Sequence, residues 1–500
     1  MKLKSLLEEA GIIGQSTADT EVGSVVYDSR KAGPGSLFVA IPGAHVDGHA
    51  FAAAAVALGA VGVLAQHECD PPIPSEVPQI LVAESRAVLS KIAAILAGNP
   101  SAALTVCGVT GTDGKTTTTS MVHAAWQGSG ITAASMTTVD FRFGKQITPN
   151  KTRQTTLESP EIQQALVDFR DGGCTHVAME VSSHALALHR VSDVTFRCAT
   201  FTKITSEHLD FHGNRQGYLN AKAELARMVS ARPDGVTVLD LDDEFAYPVL
   251  STIPVARRLT YSASGNPAAD LVASDLRIED GGLHFTAKTP WGQSEVALKF
   301  AGRFNASNSM AALASACATG AKFDDAVAGI SSMPGVNGRM EPVDLGQPFS
   351  VVVDYAHTAE AFATVLPELR LATRGKLWVV FGSAGERDHE KRGEMGEVAA
   401  RLADFMVVTD EDPREEDRHA ILEDIAHPAE HSGAVRDQNL FVIPDRTEAI
   451  NFAISHASSG DLVLLAGKGH ESCIIVGREQ MPWNEREVAE TAIKQVLATA

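Results

Sequence analysis

The feature that most constrains this chain is a glycine-rich loop between an apolar, β-branched run at 104–109 and a helix-like stretch at 117–126. The loop has the spacing GxxGxxGKT over residues 108–116. Glycines let backbone N–H groups approach phosphate oxygens, and the start of the following helix adds partial positive charge. The pattern therefore predicts a loop that binds nucleotide phosphates, with Lys115 at the outer phosphates and the Thr116 hydroxyl on Mg²⁺.

The loop departs from a strict GxxxxGK[ST] pattern, which requires glycine at the position of Val109. A surface turn rich in glycine and threonine is the alternative interpretation. The strand before the loop and the helix after it favour phosphate binding instead. The unusual spacing narrows the class of nucleotide-binding protein to which the chain can belong.

Size and charge exclude several classes of protein. The 500 residues exceed one ordinary core, so about two to four domains are expected. The apolar fraction of 44% and the charged fraction of 21% are typical of soluble globular proteins. A formal net charge of -20 argues against nucleic acids and anionic membranes as partners, because phosphate groups attract clustered Lys and Arg.

The cysteines and the apolar runs indicate a cytoplasmic protein. The six cysteines form no CxxC pair, so neither a disulfide framework nor a zinc site is indicated, and a reducing compartment is expected. Glu8 and Glu9 lie where a signal peptide needs its apolar segment. The longest apolar run, 51–65, is too short to span a bilayer and predicts a buried helix leading into a strand.

Strand-like and helix-like stretches alternate from residue 104 onward. Strands are predicted at 175–181, 194–202, 235–239, 350–354, 376–381, 405–409, 440–443 and 461–466, and helices at 159–172, 216–229 and 305–318. This spacing predicts an α/β fold with mostly parallel sheets, in which ligands gather at the carboxyl ends of the strands. Boundaries are expected at 98–100 and 334–338, where glycine, asparagine and proline concentrate.

Three polar features follow these strands. Glu180 ends an apolar strand and is a natural Mg²⁺ ligand if that strand neighbours the phosphate loop, although a salt-bridging or capping role is equally compatible. The loop 205–213 packs two histidines and two acids together, which favours a site over a merely polar loop. Lys222, taken alone, is a solvated lysine on a helix.

Nine motifs in one order carry a resemblance to a known family. They are GVTGTDGKTTT, HVAMEVSSHAL, EHLDFHGN with the following Lys222, GRFNASN, NGRME, VVVDYAHT, FGSAGERDHEKR, DEDPR and AGKGHE. Together they resemble the Mur ligase family, specifically its branch that adds the third residue of the muramoyl peptide. The resemblance spans nearly all of the chain, including DSR at 28–30 and SLFVAIPG at 36–43.

The resemblance implies three domains. Residues 1–99 would form an N-terminal α/β domain for the UDP end of the substrate. Residues 100–336 would form a central ATP-binding ligase domain with a P-loop-type, mostly parallel sheet. Residues 337–500 would form a Rossmann-like domain for the acceptor amino acid.

The resemblance also implies the reaction. This branch of the family joins a diamino acid, meso-diaminopimelate or L-lysine or L-ornithine, to UDP-N-acetylmuramoyl-L-alanyl-D-glutamate with ATP and Mg²⁺, in peptidoglycan synthesis. The D-glutamyl γ-carboxylate is first phosphorylated by ATP, and the amine of a diamino acid then attacks the acyl phosphate and expels phosphate. A cytoplasmic monomer is the family-like expectation.

Site residues transfer by motif position. The catalytic and metal-binding set is Lys115, Thr116, Glu180, His208 and Lys222, with Lys222 as a carbamylated lysine whose anionic oxygens suit Mg²⁺. The ATP-contacting set is Gly111, Thr112, Gly114, Lys115, Thr116, Thr117, Asn305, Arg339, Asp354 and His357. The set for the UDP substrate is Ser29, Thr155, Thr156, Ser182 and Arg190. The acceptor set is Arg392, Asp412, Arg414, Gly467 and Glu471.

The acceptor motif departs from the family pattern at one informative position. Relatives that use meso-diaminopimelate commonly carry DNPR, whereas Asp412 replaces the asparagine here and Arg414 is retained. An aspartate favours a plain ammonium terminus, as in lysine or ornithine, by Coulomb attraction. Arg414 can pair bidentately with a substrate carboxylate, and Asp412 alternatively only orients it. Both classes of diamino acid therefore stay open.

Other departures affect local contacts and leave the reaction class intact. Asp113 and Lys203 each replace an asparagine usual in the family, and Leu188 replaces a glutamine. Two rival functions are a folylpolyglutamate synthetase or other ligase of this superfamily, and a nucleotide-binding module without ligase activity. The DSR segment disfavours the folate enzyme. Retention of the second-metal residues disfavours the non-catalytic module.

Overall fold

The computed structural model describes residues 1–12, 20–43, 46–144, 146–152, 154–279, 281–386 and 389–499. For residue 499 this covers the backbone alone. Two residues of the predicted FGSAGERDHEKR motif, Arg387 and Asp388, lie outside this part. The chain divides into two compact units. Unit 1 comprises Met1–Val272, Thr289–Gly292 and Asn308–Gly329, and unit 2 comprises Ala273–Lys288, Gln293–Ser307 and Ile330–Ala500. The predicted α/β class is confirmed, whereas the bounds of the three predicted domains stay predictions.

The first hundred residues of unit 1 build a small parallel sheet. Its strands, in spatial as well as chain order, are β1 Ser24–Val26, β2 Ser36–Val39, β3 Ala60–Ala65 and β4 Gln79–Leu81. Its helices are α1 Leu3–Glu9, α2 Ala52–Ala57 and α3 Ser85–Leu96. The apolar run at 51–65 forms α2 and then β3, as predicted. Apolar side chains of α1, α3 and the strands pack into one core.

The larger sheet of unit 1 carries the glycine-rich loop. Its strands are β5 Thr105–Thr110, β6 Ala133–Met136, β7 Asp140–Phe143, β8 Gln146–Pro149, β9 His176–Glu180, β10 Phe196–Phe201, β11 Val236–Asp240 and β12 Arg257–Ser262. Its helices are α4 Lys115–Gly128, α5 Ser159–Asp171, α6 Ser183–Ala187, α7 Leu209–His212, α8 Arg215–Ser230 and α9 Tyr247–Leu250. The spatial order is β12-β11-β10-β5-β9-β6-β7-β8. All pairs are parallel except β6–β7 and β7–β8.

Strand order fixes where the chemistry of unit 1 can lie. β5 is central, with β9 and β10 as its two neighbours, so the segments that leave all three strands emerge at the same edge. β5 is flanked by parallel strands on both sides, and its side chains are almost all buried, which explains why residues 106–109 carry no polar side chain.

Five elements have residues in both units. They are β13 Leu271–Glu279, β14 Gly282–Thr289, β15 Gly292–Leu298, α10 Phe304–Ala318 and α11 Phe323–Ser332. The strands continue the order of the larger sheet as β12-β13-β14-β15. The helix predicted at 305–318 is confirmed by α10, whereas β13, β14 and β15 are not among the predicted strands.

Unit 2 contains a six-stranded sheet of the predicted parallel type. Its strands are β16 Glu341–Pro342, β17 Ser350–Asp354, β18 Leu377–Phe381, β19 Phe405–Val408, β20 Leu440–Val442 and β21 Leu462–Ala466, in the order β16-β17-β21-β18-β19-β20. Only β16 is antiparallel to its neighbour. The helices are α12 Ala359–Ala372, α13 Glu390–Leu402, α14 Arg418–His431, α15 Arg446–His456 and α16 Glu485–Thr499. A hairpin of β22 Cys473–Val476 and β23 Glu479–Pro482 follows β21.

In the described part of the chain, every helix is too short or too polar to cross a bilayer. The six cysteines are all free thiols and all buried. They therefore act as small apolar side chains of the cores.

Candidate active site

The glycine-rich loop connects the end of β5 to the first residue of α4, Lys115. A Cβ atom on Gly111 would lie 1.8 Å from the Thr202 hydroxyl oxygen, and one on Gly114 would lie 2.3 Å from the Asn308 side-chain oxygen. Gly114 also has a φ of +83°, which favours glycine. Both glycines are thus required by close approach, which brings the loop backbone against the residue that follows β10.

Two lysines meet on a single carbonyl of this loop. Lys115 donates to the carbonyls of Gly111 at 3.1 Å and Thr112 at 2.7 Å, and Lys222 donates to the Gly111 carbonyl at 2.7 Å. Lys222 lies on α8 and is only 1% exposed, so a solvated lysine is wrong for this position. Burial, aided by the charge of Lys115, holds the pKa of Lys222 well below its ordinary value, which favours a neutral amine.

Glu180 ends β9 directly beside the strand that leads into the loop, in register with Val109 of β5. Its carboxylate is buried and accepts hydrogen bonds from the Thr138 N–H at 2.7 Å and the Thr138 hydroxyl at 3.0 Å. Its backbone carbonyl accepts from the Thr156 hydroxyl at 2.9 Å, and that hydroxyl accepts from the Ser182 N–H at 3.0 Å. Glu180 is therefore a fixed carboxyl group at the edge of the sheet from which the glycine-rich loop leaves.

His208 lies in the predicted polar loop, at the start of α7, with a φ of +55° and a side chain 45% exposed. Its ring packs edge-on against His184, which follows Glu180 by four residues, at 4.6 Å between centroids. Burial, with the charges of neighbouring histidines, lowers the pKa of His184 to about 4. His208 thus lies next to the segment that leaves β9, and its Nε2 lies 3.6 Å from the Glu207 carboxylate.

The oxygen donors at this edge fit Mg²⁺, which takes hard oxygen ligands. Glu180 supplies a buried carboxylate, and Thr116 supplies a buried hydroxyl in the first turn of α4. Each Glu180 oxygen accepts one hydrogen bond and retains a lone pair for a cation. Conversion of Lys222 to a carbamate would add a third oxygen ligand, the second anionic one, beside Gly111.

A separate cavity of about 530 Å³ in unit 1 contains the first predicted substrate residue, Ser29, with Tyr27, Arg86 and Glu158 among its other lining residues. Glu158 pairs with Arg190 at 2.8 Å. The pKa of Glu158 is raised by burial.

The other predicted substrate residues are connected to this cavity through Arg190. Its guanidinium donates to the Thr156 carbonyl at 3.1 Å, and Thr156 is in turn hydrogen-bonded to Ser182 at 3.0 Å. Thr155 precedes Thr156 in the chain. The structure therefore connects Thr156, Ser182 and Arg190 of the predicted set, and Glu158 belongs to the same group of contacts although the sequence did not indicate it.

Four of the predicted ATP-contacting residues lie in unit 2, namely Asn305, Arg339, Asp354 and His357. The Asp354 carboxylate, at the end of β17, accepts from the N–H groups of Met340 and Ala356, each at 2.7 Å. The Arg339 guanidinium lies 4.6 Å from the centre of the Tyr355 ring. The segment that leaves β17 also carries His357, whose Nδ1 lies 2.7 Å from the Tyr355 carbonyl oxygen. Asn305 is buried at the second position of α10 and donates to the Ala301 carbonyl at 2.8 Å.

The predicted acceptor residue Arg392 already has protein partners. This arginine of α13 is completely buried and donates to both oxygens of Glu416, at 2.7 and 2.8 Å, and to Asp424 at 2.9 Å. Two neighbouring carboxylates therefore satisfy its terminal nitrogens. The structure gives Arg392 a role in joining α13 to α14 rather than a free guanidinium.

Asp412 also has a protein partner. One of its oxygens accepts from the Lys468 ammonium at 2.8 Å and from the Ile475 N–H at 2.9 Å. Lys468 offsets the charge of this aspartate. The attraction of Asp412 for a substrate ammonium, and the alternative that Asp412 orients Arg414, both stay predictions. The Arg414 guanidinium lies 3.9 Å from the Glu386 carboxylate.

The other predicted acceptor residues, Gly467 and Glu471, lie in the loop that follows β21. Glu471 contacts Lys468, and Gly467, with a φ of +100°, lies beside the Glu411 carboxylate. One Glu411 oxygen is buried without a hydrogen-bond partner, and burial raises the pKa of this carboxyl. The DEDPR and AGKGHE motifs are therefore neighbours in unit 2, because β19 and β21 both end at this edge of the sheet.

The departures from the family pattern have simple local explanations. Asp113 and Lys203 are both exposed, and their backbone carbonyls make the contacts, accepting from Thr202 at 2.6 Å and from Thr112 at 2.8 Å. Leu188 caps the end of α6 and is partly buried. None of the three side chains is needed for the loop geometry.

Comparison with known proteins decides the family. Three family models match in succession: "Mur ligase family, catalytic domain" over residues 21–95, "Mur ligase middle domain" over 109–316 and "Mur ligase, glutamate ligase domain" over 338–469. The chain belongs to the Mur ligase family. It is therefore an ATP-dependent ligase that forms amide bonds.

The similarity extends over the whole chain. It is 42% identical to a UDP-N-acetylmuramyl-tripeptide synthetase of a Roseiflexus species, covering 99% of this chain and 98% of that one. It is 37% identical to a UDP-N-acetylmuramoyl-L-alanyl-D-glutamate–2,6-diaminopimelate ligase of Geobacillus kaustophilus, covering 99% and 100%. A solved structure of a ligase with the same substrate name matches with a TM-score of 0.68 at 29% identity, over 99% of each chain.

Proposed function

We propose that this Mur ligase adds a diamino acid to the D-glutamyl γ-carboxyl of UDP-N-acetylmuramoyl-L-alanyl-D-glutamate, with ATP hydrolysed to ADP and phosphate. The observation that carries the proposal is the meeting of Lys115 and Lys222 on the Gly111 carbonyl, with Glu180 on the adjacent strand. Two lysines, one of which can be modified, and a buried acid around one phosphate-binding loop suit the activation of a carboxylate by ATP. A nucleotide-binding module has no need of the second lysine or the acid.

The first step phosphorylates the substrate. A γ-carboxylate oxygen attacks the γ-phosphorus, the bond to the β-phosphate oxygen breaks, and ADP leaves. The loop N–H groups and the Lys115 ammonium hold the phosphates and offset the charge that develops during transfer. Mg²⁺, held by Thr116 and Glu180, would supply further positive charge to the phosphate oxygens.

The second step forms the amide. The neutral amine of the acceptor attacks the acyl carbon, and the tetrahedral intermediate expels phosphate while the nitrogen loses a proton. Because the acyl phosphate is prone to hydrolysis, the acceptor must be oriented before the intermediate forms. Glu471 and Arg414 are suited to bind the distal ammonium and carboxylate of the acceptor.

Lys222 is proposed to carry a carbamate. A neutral amine is the form that reacts with CO₂, and burial beside Lys115 favours that form. The product is an anion that would pair with the Lys115 ammonium and ligate a second Mg²⁺ together with Glu180 and His208. Because a carbamate is anionic, the modification would also remove the repulsion between two ammonium groups that donate to one carbonyl.

The acceptor pocket offers groups of both signs. Arg414 suits the distal carboxylate of meso-diaminopimelate, whereas Glu411 and Glu471 suit the distal ammonium that diaminopimelate, lysine and ornithine share. The ion pair between Asp412 and Lys468 weakens the argument that Asp412 selects a plain ammonium terminus. In a lysine or ornithine complex, Arg414 would keep Glu386 as its partner.

The test is ADP release by the purified protein. Release is expected only when both the UDP-muramoyl dipeptide and a diamino acid are present, and the panel is meso-diaminopimelate, L-lysine and L-ornithine. Release with pteroyl-glutamate and glutamate instead, or with no pair at all, would reject the proposal. A hundredfold preference within the panel would identify the acceptor.

We also propose a cytoplasmic monomer that requires Mg²⁺. The buried free thiols suit a reducing compartment, and the UDP-linked substrate and ATP are both cytoplasmic metabolites. The formal charge of -20 disfavours nucleic-acid binding. Light scattering should give the mass of one chain, 52.8 kDa, and chelation of Mg²⁺ should abolish ADP release.

A further inference from the structure

Lys468 is a completely buried ammonium in the loop between β21 and β22. It donates to Asp412 at 2.8 Å and contacts Glu471, three residues further along the chain. A charge taken out of water is tolerated only when partners of opposite charge surround it. The two carboxylates therefore account for the position of this lysine, which the sequence did not indicate as part of a site.

The charges of Lys468, Asp412 and Glu471 do not cancel. One ammonium faces two carboxylates, so the cluster carries a net charge of -1 when all three are ionised. The Asp412 side chain is 7% exposed and also accepts from the Ile475 N–H, whereas the Glu471 side chain is 21% exposed. The surplus negative charge is therefore presented to a ligand by Glu471.

The backbone fixes this arrangement. The Glu471 N–H donates to the Lys468 carbonyl at 2.8 Å. Gly469 has a φ of +48°, and a Cβ atom there would lie 2.8 Å from the Tyr355 side chain. A Cβ on Gly338 would lie 2.2 Å from the His470 nitrogen. The loop is thus held between two neighbouring segments, so that the Lys468 ammonium has one position relative to both carboxylates.

We propose that Lys468 is a positioning residue of the acceptor site, which neutralises Asp412 and holds Glu471 so that one negative charge receives one ammonium of the acceptor. The inference rests on the proposed function, because it takes the neighbourhood of Glu471 as the acceptor site. Lys468 acts through Glu471 and does not touch the reacting atoms.

Four proteins test this role: the wild type, K468M, D412N and the double variant K468M/D412N. Their clusters carry net charges of -1, -2, 0 and -1. K468M leaves two carboxylates that repel each other, which moves Glu471 from its position, and D412N leaves Glu471 neutralised by Lys468 with no surplus charge for the acceptor. Each single variant should therefore raise the KM for the acceptor about tenfold or more, equivalent to about 1.4 kcal/mol of binding.

The double variant restores the charge of the wild type. Its acceptor KM should return to within about threefold of the wild-type value, as expected when two mutations act on one interaction. The KM values for ATP and for the UDP-muramoyl dipeptide should stay within about twofold in all four proteins. This separation distinguishes a role at the acceptor site from a general loss of structure.

K376M is the matched control. Lys376 forms an exposed ion pair with Asp404 at 3.1 Å in the same unit, and its loss should leave all three KM values unchanged. Circular dichroism checks that each variant is folded. If K468M does not fold, D412N alone remains informative, because an unchanged acceptor KM in D412N contradicts the charge argument.

The possible failures are distinguishable. A double variant whose acceptor KM is the product of the two single effects overturns the role of Lys468, while an active wild type leaves the proposed function intact. A wild type that releases no ADP with any diamino acid rejects the proposed function itself. Recovery in the double variant supports both.

Discussion

At the scale of single residues, the site depends on buried charges whose protonation the protein sets. Lys222 is the clearest case, since a fully buried lysine beside Lys115 is held towards its neutral form. It lies on α8 and donates to the Gly111 carbonyl of the glycine-rich loop, away from solvent. The side chain therefore has a chemical role that its helical sequence context alone does not reveal.

Substitution of Lys222 tests the carbamate directly. Lys222→Ala should lower kcat by about two to three orders of magnitude, because a group that offsets charge during phosphoryl transfer is lost. Short carboxylic acids such as acetate should restore part of the activity by occupying the space of the carbamate. Lys288→Ala, at an exposed lysine on β14, is the control and should be unaffected. A fully active Lys222→Ala enzyme would contradict the carbamate proposal.

Asp240, at the end of β11, gives a pH-dependent prediction. Burial, together with Asp242 and Asp243, raises its pKa from 3.8 to about 7. The folded protein therefore binds the proton more tightly than the unfolded chain. The stability that this proton contributes is fully present below about pH 4 and is lost as the pH rises towards 7.

Asp240→Asn removes this titration. Between pH 4 and 7 the variant should gain stability over the wild type by up to about 1.4 kcal/mol per pH unit, and the gain should level off above pH 7. Urea unfolding at pH 5, 6, 7 and 8 measures it. Asp324→Asn, at an exposed position on α11, is the control, with a difference that stays flat over the same range. A flat difference for Asp240→Asn would contradict the assigned shift.

At the scale of elements, the strand–loop–helix unit of β5 and α4 was predictable from the sequence. Its signals are local: an apolar run, glycines at fixed spacing, and a helix that begins at the lysine. The partners of that unit were not predictable. The approach of Thr202 to Gly111 depends on β10 lying next to β5, and strand order is set by tertiary packing rather than by either local sequence.

Gly114 combines a close contact with a left-handed backbone conformation. Gly114→Ala adds a Cβ 2.3 Å from the Asn308 oxygen and imposes a left-handed φ on alanine, which costs about 1–2 kcal/mol before any clash. Calorimetric titration should show at least about tenfold weaker binding of a non-hydrolysable ATP analogue. Gly130→Ala is the matched control, because Gly130 has a φ of +74° with nothing within 4 Å of its added Cβ. Equal affinities for the two variants would contradict the role assigned to the close contact.

The strands β13, β14 and β15 were missed for a physical reason. β13 alternates buried and exposed residues, and several of its exposed positions carry charged side chains, so it lacks the continuous apolar run of the buried parallel strands. The alternation itself is the signal that could have revealed it. Sequence analysis that searches for apolar runs finds central strands and overlooks half-exposed ones.

At the scale of the whole molecule, the order of nine motifs along the chain indicated the family, and the matches over nearly the full length confirm it. Charge pairing over long sequence separations was not predictable. Asp412 and Lys468 are 56 residues apart, and the aspartate was interpreted without its cation. Arg392 similarly has partners 24 and 32 residues away. Motif identity thus indicates which residues share a site and not which of them remain free for a ligand.

The central claim is that this ligase activates the γ-carboxyl of its substrate as an acyl phosphate at the Gly111 loop. The most direct measurement uses the UDP-muramoyl dipeptide labelled with oxygen-18 in its γ-carboxylate, together with ATP and the preferred diamino acid. Mass spectrometry should find one labelled oxygen in each phosphate released, because that oxygen bridges carbon and phosphorus in the intermediate. Tripeptide product accompanied by unlabelled phosphate would contradict the claim.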